Sequence, residues 1–150
     1  MIRLSPIYIN EDQDDPKYAN EFCREIFKSY PGYYHKTGYH PPFIGYFVIR
    51  DEEVVGVAGF TGKPIHGRVE IAYGTYKPFE GQGIASYACH SLVAIARAYD
   101  PFLIITAKTA PEKNASAAVL MKNGFVYSGD VQDEGIGDAW EWIYQEGGED

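Results

Sequence analysis

The chain has 150 residues, 45 % of them hydrophobic and 15 % aromatic, and a formal net charge of −8. This composition excludes a disordered chain and supplies enough apolar residues for the core of one domain, expected to span residues 1–150. The acidic balance excludes nonspecific nucleic-acid binding and favours cationic partners such as amines or basic peptides, although the same charge also serves solubility. From Asn123 onward there is no Lys or Arg, and this tail carries Asp130, Asp133, Glu134, Asp138, Glu141, Glu146, Glu149 and Asp150. No run approaches the roughly 20 apolar residues of a membrane span. Met1-Ile2-Arg3-Leu4-Ser5-Pro6 has no long apolar signal core, so a cytoplasmic location without a membrane partner is expected. Cys23 and Cys89 fall on expected helices and read as buried thiols rather than a disulfide.

Ile2 to Ile9 reads as a first strand, interrupted at Pro6 and therefore an edge. Asp14 or Asp15 caps a helix before Pro16. Tyr18, Phe22, Cys23, Ile26 and Phe27 line one face of that helix, which ends near Pro31-Gly32. Tyr30 to Pro42 is irregular and aromatic, either a surface loop or one wall of a binding site. His35 and His40 within it have no adjacent ligands to complete a metal site, and no metal is expected. Phe43 to Ile49 and Val54 to Phe60 form a hairpin through Arg50-Asp51-Glu52-Glu53.

Arg68 to Tyr76 alternates and is rich in β-branched and aromatic residues, the pattern of a strand. Lys77-Pro78-Phe79-Glu80-Gly81-Gln82-Gly83-Ile84-Ala85 follows as a glycine-bearing turn. Ile84, Ala88, Leu92, Ile95, Ala96 and Tyr99 then recur at helical spacing. The amides from Gly81 to Ala85 would be unpaired donors at the positive end of that helix, an arrangement that suits a pyrophosphate. The turn by itself is equally that of an ordinary strand–helix connection. Pro101 to Ala107 reads as a strand buried on both faces, which completes a parallel crossover. Thr109 to Phe125 holds a short helix closed by Gly124. Val126 to Val131 and Ala139 to Tyr144 form a last hairpin, with Trp140 and Trp142 on one face as core residues.

Two stretches carry a resemblance. Glu80-Gly81-Gln82-Gly83-Ile84-Ala85 resembles the pyrophosphate loop Arg/Gln-x-x-Gly-x-Gly/Ala. Asn114-Ala115-Ser116 through Lys122-Asn123-Gly124-Phe125 resembles a second signature, Asn-x-x-Ser followed by Lys-x-Gly-Phe. Together, over residues 68 to 125, they identify the chain as similar to the GNAT superfamily of acetyl-CoA-dependent N-acetyltransferases, nearest the ribosomal-protein-type N-terminal acetyltransferases. The resemblance implies a single-domain α/β fold: a mixed, mostly antiparallel sheet with a central splayed parallel strand pair, flanked by helices. It implies acetyl-CoA as cosubstrate and direct transfer to a primary amine, on a peptide or protein N-terminus or a small molecule. A homodimer is compatible with it, and a non-catalytic acyl-CoA-binding module is the alternative. Ala72, Tyr73, Gly74, Gly81, Gln82, Gly83, Ile84, Ala85 and Asn114 would contact the cosubstrate. Three positions depart from the family pattern. Glu80 stands where Arg or Gln is usual and should turn away or be replaced by Gln82, Asn114 is one residue late, and Leu120 replaces a Tyr that often donates the proton.

The chemistry asks for a neutral amine, an oxyanion stabiliser and a donor for the leaving sulfur. Glu70, mid-strand before the loop, is the candidate base, although a solvated strand carboxylate has the same appearance. Ser116 is the candidate donor near the sulfur, although a serine there is also an ordinary helix-start residue. Lys113 and Lys122 are candidates to hold phosphates.

Overall fold

The computed structural model describes residues 1–30 and 32–145. The expected helix end at Pro31 and the acidic residues Glu146, Glu149 and Asp150 lie outside the described residues. Seven strands form one sheet in the order β1-β2-β3-β4-β5-β7-β6. They are β1 (Ile2–Pro6), β2 (Gly45–Arg50), β3 (Glu53–Phe60), β4 (Arg68–Thr75), β5 (Ile104–Thr109), β6 (Phe125–Asp133) and β7 (Gly137–Tyr144). Among the described residues, four α-helices accompany them: α1 (Glu21–Phe27), α2 (Tyr33–Thr37), α3 (Ile84–Tyr99) and α4 (Ala115–Lys122). Neighbouring strands are antiparallel except β4 and β5, which are parallel and linked through α3. This is the expected mixed sheet with a central parallel pair.

Side-chain alternation sorts the two faces. Val69 and Ile71 of β4 join Val55, Ala58, Ile105, Ala107 and Trp142 in a large core with α3 and α4 residues Ile84, Ala88, Leu92 and Leu120. A smaller core on the other face gathers Ile7, Tyr18, Cys23, Phe47, Ile49 and Val54, with Phe22, Ile26 and Phe27 of the α1 region packed on it. A bulge at Val55 keeps this sorting consistent: Ile49 pairs with Val54 while Val48 pairs with Gly56. Trp142 is buried and donates its Nε1–H to Thr109 Oγ1 at 3.0 Å, and Trp140 packs beside the same core.

Several boundaries differ from the sequence reading, for local reasons. Asp15 caps only a 3-10 turn, Pro16–Tyr18, by accepting from Lys17 N–H. The first α-helix starts later, where Asn20 Oδ1 accepts from Cys23 N–H at 2.9 Å. The segment read as irregular contains α2, five residues long and too short to show a helical period. It is held by Tyr34, whose hydroxyl donates to Ile7 O at 2.6 Å and accepts from Gly45 N–H at 3.0 Å. Both cysteines are free and buried, as expected, and burial pushes the Cys23 thiol up to about 11 and the Cys89 thiol up to about 12.

Candidate active site

The parallel pairing of β4 with β5 runs from Arg68–Ile104 to Ile71–Ala107 and stops there. Both strands continue, β4 to Thr75 and β5 to Thr109, so a gap opens between them. Thr61 N–H donates to Glu70 O and Tyr76 N–H to Val55 O, which fixes the even-numbered residues of β4 as those whose backbone faces β3. Alternation then turns the backbone of Tyr73 and Thr75 toward the gap, beyond the last pair with β5. A backbone N–H at Tyr73 is therefore presented to whatever enters.

Beyond β4, Lys77–Phe79 makes a 3-10 turn, and Gly81 and Gly83 follow with φ of +79° and +81°. Such φ values strain any residue with a Cβ. No atom lies within 4 Å of where a Cβ would stand at either glycine, so the space in front of the loop is open. Gly83 is the N-cap of α3 and offers no side-chain cap, and the first helical bond runs from Tyr87 N–H to Gly83 O. The amides before Tyr87 thus stand at the positive end of a 16-residue helix. A groove of about 660 Å³ connects these features. Its lining runs from Tyr73, Gly74 and Thr75, past Phe79, Glu80, Gly81 and Gly83, to Ile84, Ala85 and Ser86 of α3 and to Ala115, Ser116, Ala118, Val119 and Lys122 of α4. Tyr73 marks the inner end along β4. Among the described residues, its hydroxyl is the one buried side-chain polar atom without a hydrogen-bond partner. Burial, and then the nearby Cys89, raise the Tyr73 hydroxyl well above the usual tyrosine range, so it stays protonated.

Of the residues expected to contact the cosubstrate, Tyr73, Gly74, Gly81, Gly83, Ile84 and Ala85 line this groove. Ala72 and Gln82 are exposed and do not, and Glu80 is at the lining where Gln82 was expected to substitute. Asn114 is engaged elsewhere: it is the N-cap of α4, and its Oδ1 accepts from Ala117 N–H at 2.9 Å. Ser116 lines the groove from the first turn of α4, and Leu120 is buried in the core behind it. Lys113 is absent from the lining and Lys122 is present. Asn123 joins the groove's two helices by donating from Nδ2 to Ser86 Oγ at 3.1 Å.

Glu70 lies on the opposite face of β4, with Ala72, on the side of α1. There it is not a free carboxylate. Lys108 Nζ sits 3.1 Å from Glu70 Oε1 and 3.4 Å from Asp133 Oδ1, and all three side chains are about one quarter exposed. Next to them, Arg68 pairs with Glu141 at 3.4 Å. Burial works against the charged form of Lys108, but the two carboxylates outweigh it and raise the Lys108 pKa. Asp133 is held below the usual carboxylate range, foremost by the Gly135 N–H, with Ile136 N–H and Lys108 adding to this against burial. Burial and then the charge of Glu70 raise Tyr33 on α2, which places Tyr33 within electrical reach of this floor. Lys36 of α2 also reaches Glu134 of the β6–β7 turn at 3.8 Å. Lys108 and Asp133 were not singled out from the sequence. The available signal was a lysine directly after the apolar run read as a strand, Pro101 to Ala107, which in the structure continues through Lys108 to Thr109.

β4 therefore has a groove with the unpaired first-turn amides of α3 on one face and a charged cluster on the other. The open loop and its unpaired amides fit a ligand that carries a phosphate group. Among the described residues, no group of three or more His, Cys, Asp or Glu could hold a metal ion, and no helix is long and apolar enough to cross a membrane.

The family model described as an acetyltransferase (GNAT) domain matches residues 7–126. No curated protein matches. Among solved structures, RimL, a ribosomal L7/L12 alpha-N-protein acetyltransferase in complex with coenzyme A, has a TM-score of 0.68 at 20 % identity, over 95 % of this chain and 92 % of that one. The Salmonella typhimurium acetyl transferase that modifies the N-terminal serine of ribosomal protein L7/L12 gives 0.60 at 23 %, over 82 % and 72 %. AAC(6′)-Ib with ribostamycin and coenzyme A gives 0.58 at 18 %, over 69 % and 64 %. At these identities the likeness is one of fold.

Proposed function

The chain belongs to the GNAT acetyltransferase family, whose acetyl donor is acetyl-CoA, and we propose that it moves the acetyl group directly onto a primary amine, on a peptide or protein N-terminus or a small molecule. The observation that carries this reading is the end of the β4–β5 pairing at Ile71–Ala107, which opens a gap between the two strands beside the groove lined by Tyr73, Gly74 and Thr75. The same likenesses support residues 1–150 as one N-acetyltransferase domain. The absence of a membrane-spanning helix among the described residues is compatible with a cytoplasmic location.

Acetyl-CoA supplies an acyl group activated as a thioester. The amides from Gly81 to Ala85 would hold the pyrophosphate, with Lys122 at the groove wall beside it. Tyr73 N–H would donate to the acyl oxygen as negative charge develops there. Glu70 would orient the incoming amine and take its proton. As the N–C bond forms and the C–S bond breaks, the electron pair goes to sulfur, where Ser116 would supply a hydrogen bond. Release of free thiol from acetyl-CoA, followed over a panel of amines and N-terminal peptides, tests the proposal. Turnover above the amine-free rate supports it. Tight CoA binding with no turnover on any acceptor would instead favour the acyl-CoA-binding module.

A further inference from the structure

The floor behind the gap carries a specific charge balance. Glu70, Asp133 and Glu141 are three carboxylates, and Lys108 and Arg68 are the two cations paired with them. One negative charge is left uncompensated in this cluster. Resting on the acetyl-transfer reading, we propose that Lys108 is the residue that sets acceptor charge: it trims the floor to a single negative charge, so that the site takes a monocationic amine and rejects a dication.

The placement of Lys108 supports this role. It stands on β5 just past Ala107, the last residue paired to β4, and its side chain crosses to Glu70. Its second partner, Asp133, is itself fixed, because Asp133 Oδ2 accepts from Gly135 N–H at 2.9 Å and from Ile136 N–H at 3.2 Å. Lys108 is thus anchored at both ends and about one quarter exposed, where charges interact more strongly than on an open surface. Its ammonium already engages one Glu70 oxygen, so one acceptor ammonium can use the other, while Asp133 and Glu141 are each already paired with a cation, Lys108 and Arg68, and leave a second ammonium no unpaired charge. Without Lys108, Glu70 and Asp133 would face the acceptor with one more negative charge, which suits a diamine or an N-terminal peptide bearing lysine at its second position.

The test compares butylamine with putrescine as acceptors for the parent, Lys108→Met and Lys108→Arg. Lys108→Met should raise the ratio of kcat/KM for putrescine over butylamine by about tenfold, through KM, as expected for one unit charge at short range. Lys108→Arg keeps the charge and should keep the parent ratio. A binding arm uses the quaternary ammonium analogues of both amines, which cannot be acetylated, titrated calorimetrically against each protein. Lys108→Met should tighten the bis-quaternary compound selectively. A ratio within twofold of the parent in Lys108→Met, or an equal change in Lys108→Arg, would overturn the proposal. If the parent acetylates no amine, the acetyl-transfer reading fails, while the quaternary pair still decides whether Lys108 selects charge: unchanged relative binding overturns it and selective tightening supports it.

Discussion

Gly83 and Gly67 make a matched pair for testing the anion loop. Both adopt left-handed φ, +81° and +74°, and at neither is there an atom within 4 Å of where a Cβ would stand. Alanine at either position therefore adds backbone strain and no clash, about 1–2 kcal/mol. For a chain of this size each kcal/mol lowers Tm by roughly 2–4 °C, so both variants should melt about 2–8 °C below the parent. Only Gly83 faces the groove. Gly67 precedes β4, whose eight residues separate it from the loop by about 25 Å. The open space at Gly83 is where a phosphate would approach the amides, and a methyl group there should weaken CoA binding at least tenfold, about 1.4 kcal/mol. Gly67→Ala should bind CoA as the parent does. Calorimetric titration with CoA and a thermal melt of each variant give both quantities. Equal CoA affinity in the two variants would refute the pyrophosphate assignment, because strain alone would then explain everything seen at Gly83.

Three further outcomes are expected. Glu70→Gln should lower turnover by roughly 10²–10⁴ while leaving CoA affinity intact, and turnover within a few-fold of the parent would remove Glu70 as the base. Glu80→Gln removes a like charge from the groove lining and should strengthen CoA binding by about threefold, an effect that fades with added salt; a tenfold loss would assign Glu80 a positive role. Tyr73→Phe deletes a buried hydroxyl that has no partner while keeping the ring, so the ligand-free protein should gain about 1 kcal/mol in chemical denaturation, and a loss of that size would mean the hydroxyl is bonded in solution.

The groove was legible in the sequence because its chemistry is local. Gly81 and Gly83 between an alternating run and a helical one specify the strand, turn and helix from Arg68 to Tyr99, and the apolar run that follows specifies the parallel partner, although that strand is Ile104–Thr109 and leaves Phe102 and Ile104 exposed rather than buried on both faces. Of the floor only Glu70 was legible, and its partners were not, because they come from separate places in the chain. Lys108, Asp133, Arg68 and Glu141 meet only through strand order β4-β5-β7-β6, and no spacing in the sequence encodes that β7 inserts between β5 and β6. Helix α2 escaped for a different reason: five residues cover little more than one turn, and what holds them is the Tyr34 hydroxyl bridging Ile7 and Gly45.

The side of the sheet on which Glu70 lies is decided by its neighbours rather than by Glu70. Val69 and Ile71 are 3 % and 1 % exposed in the core beneath α3, and strand alternation leaves Glu70 between them no other face than the far one. A one-residue slip of β4 would bury a carboxylate in that core and expose two aliphatic side chains, so the register is strongly held. The same alternation turns Tyr73, two residues beyond Ile71, with its side chain toward the groove face and its backbone toward the gap. Core packing therefore sets a donor and a carboxylate on opposite sides of one opening, three residues apart on a single strand. Where β5 stops pairing, at Ala107, that opening begins, and Lys108 is the first β5 residue free to reach across it. Acceptor and acetyl donor would then meet at a point fixed by two aliphatic residues that touch neither of them.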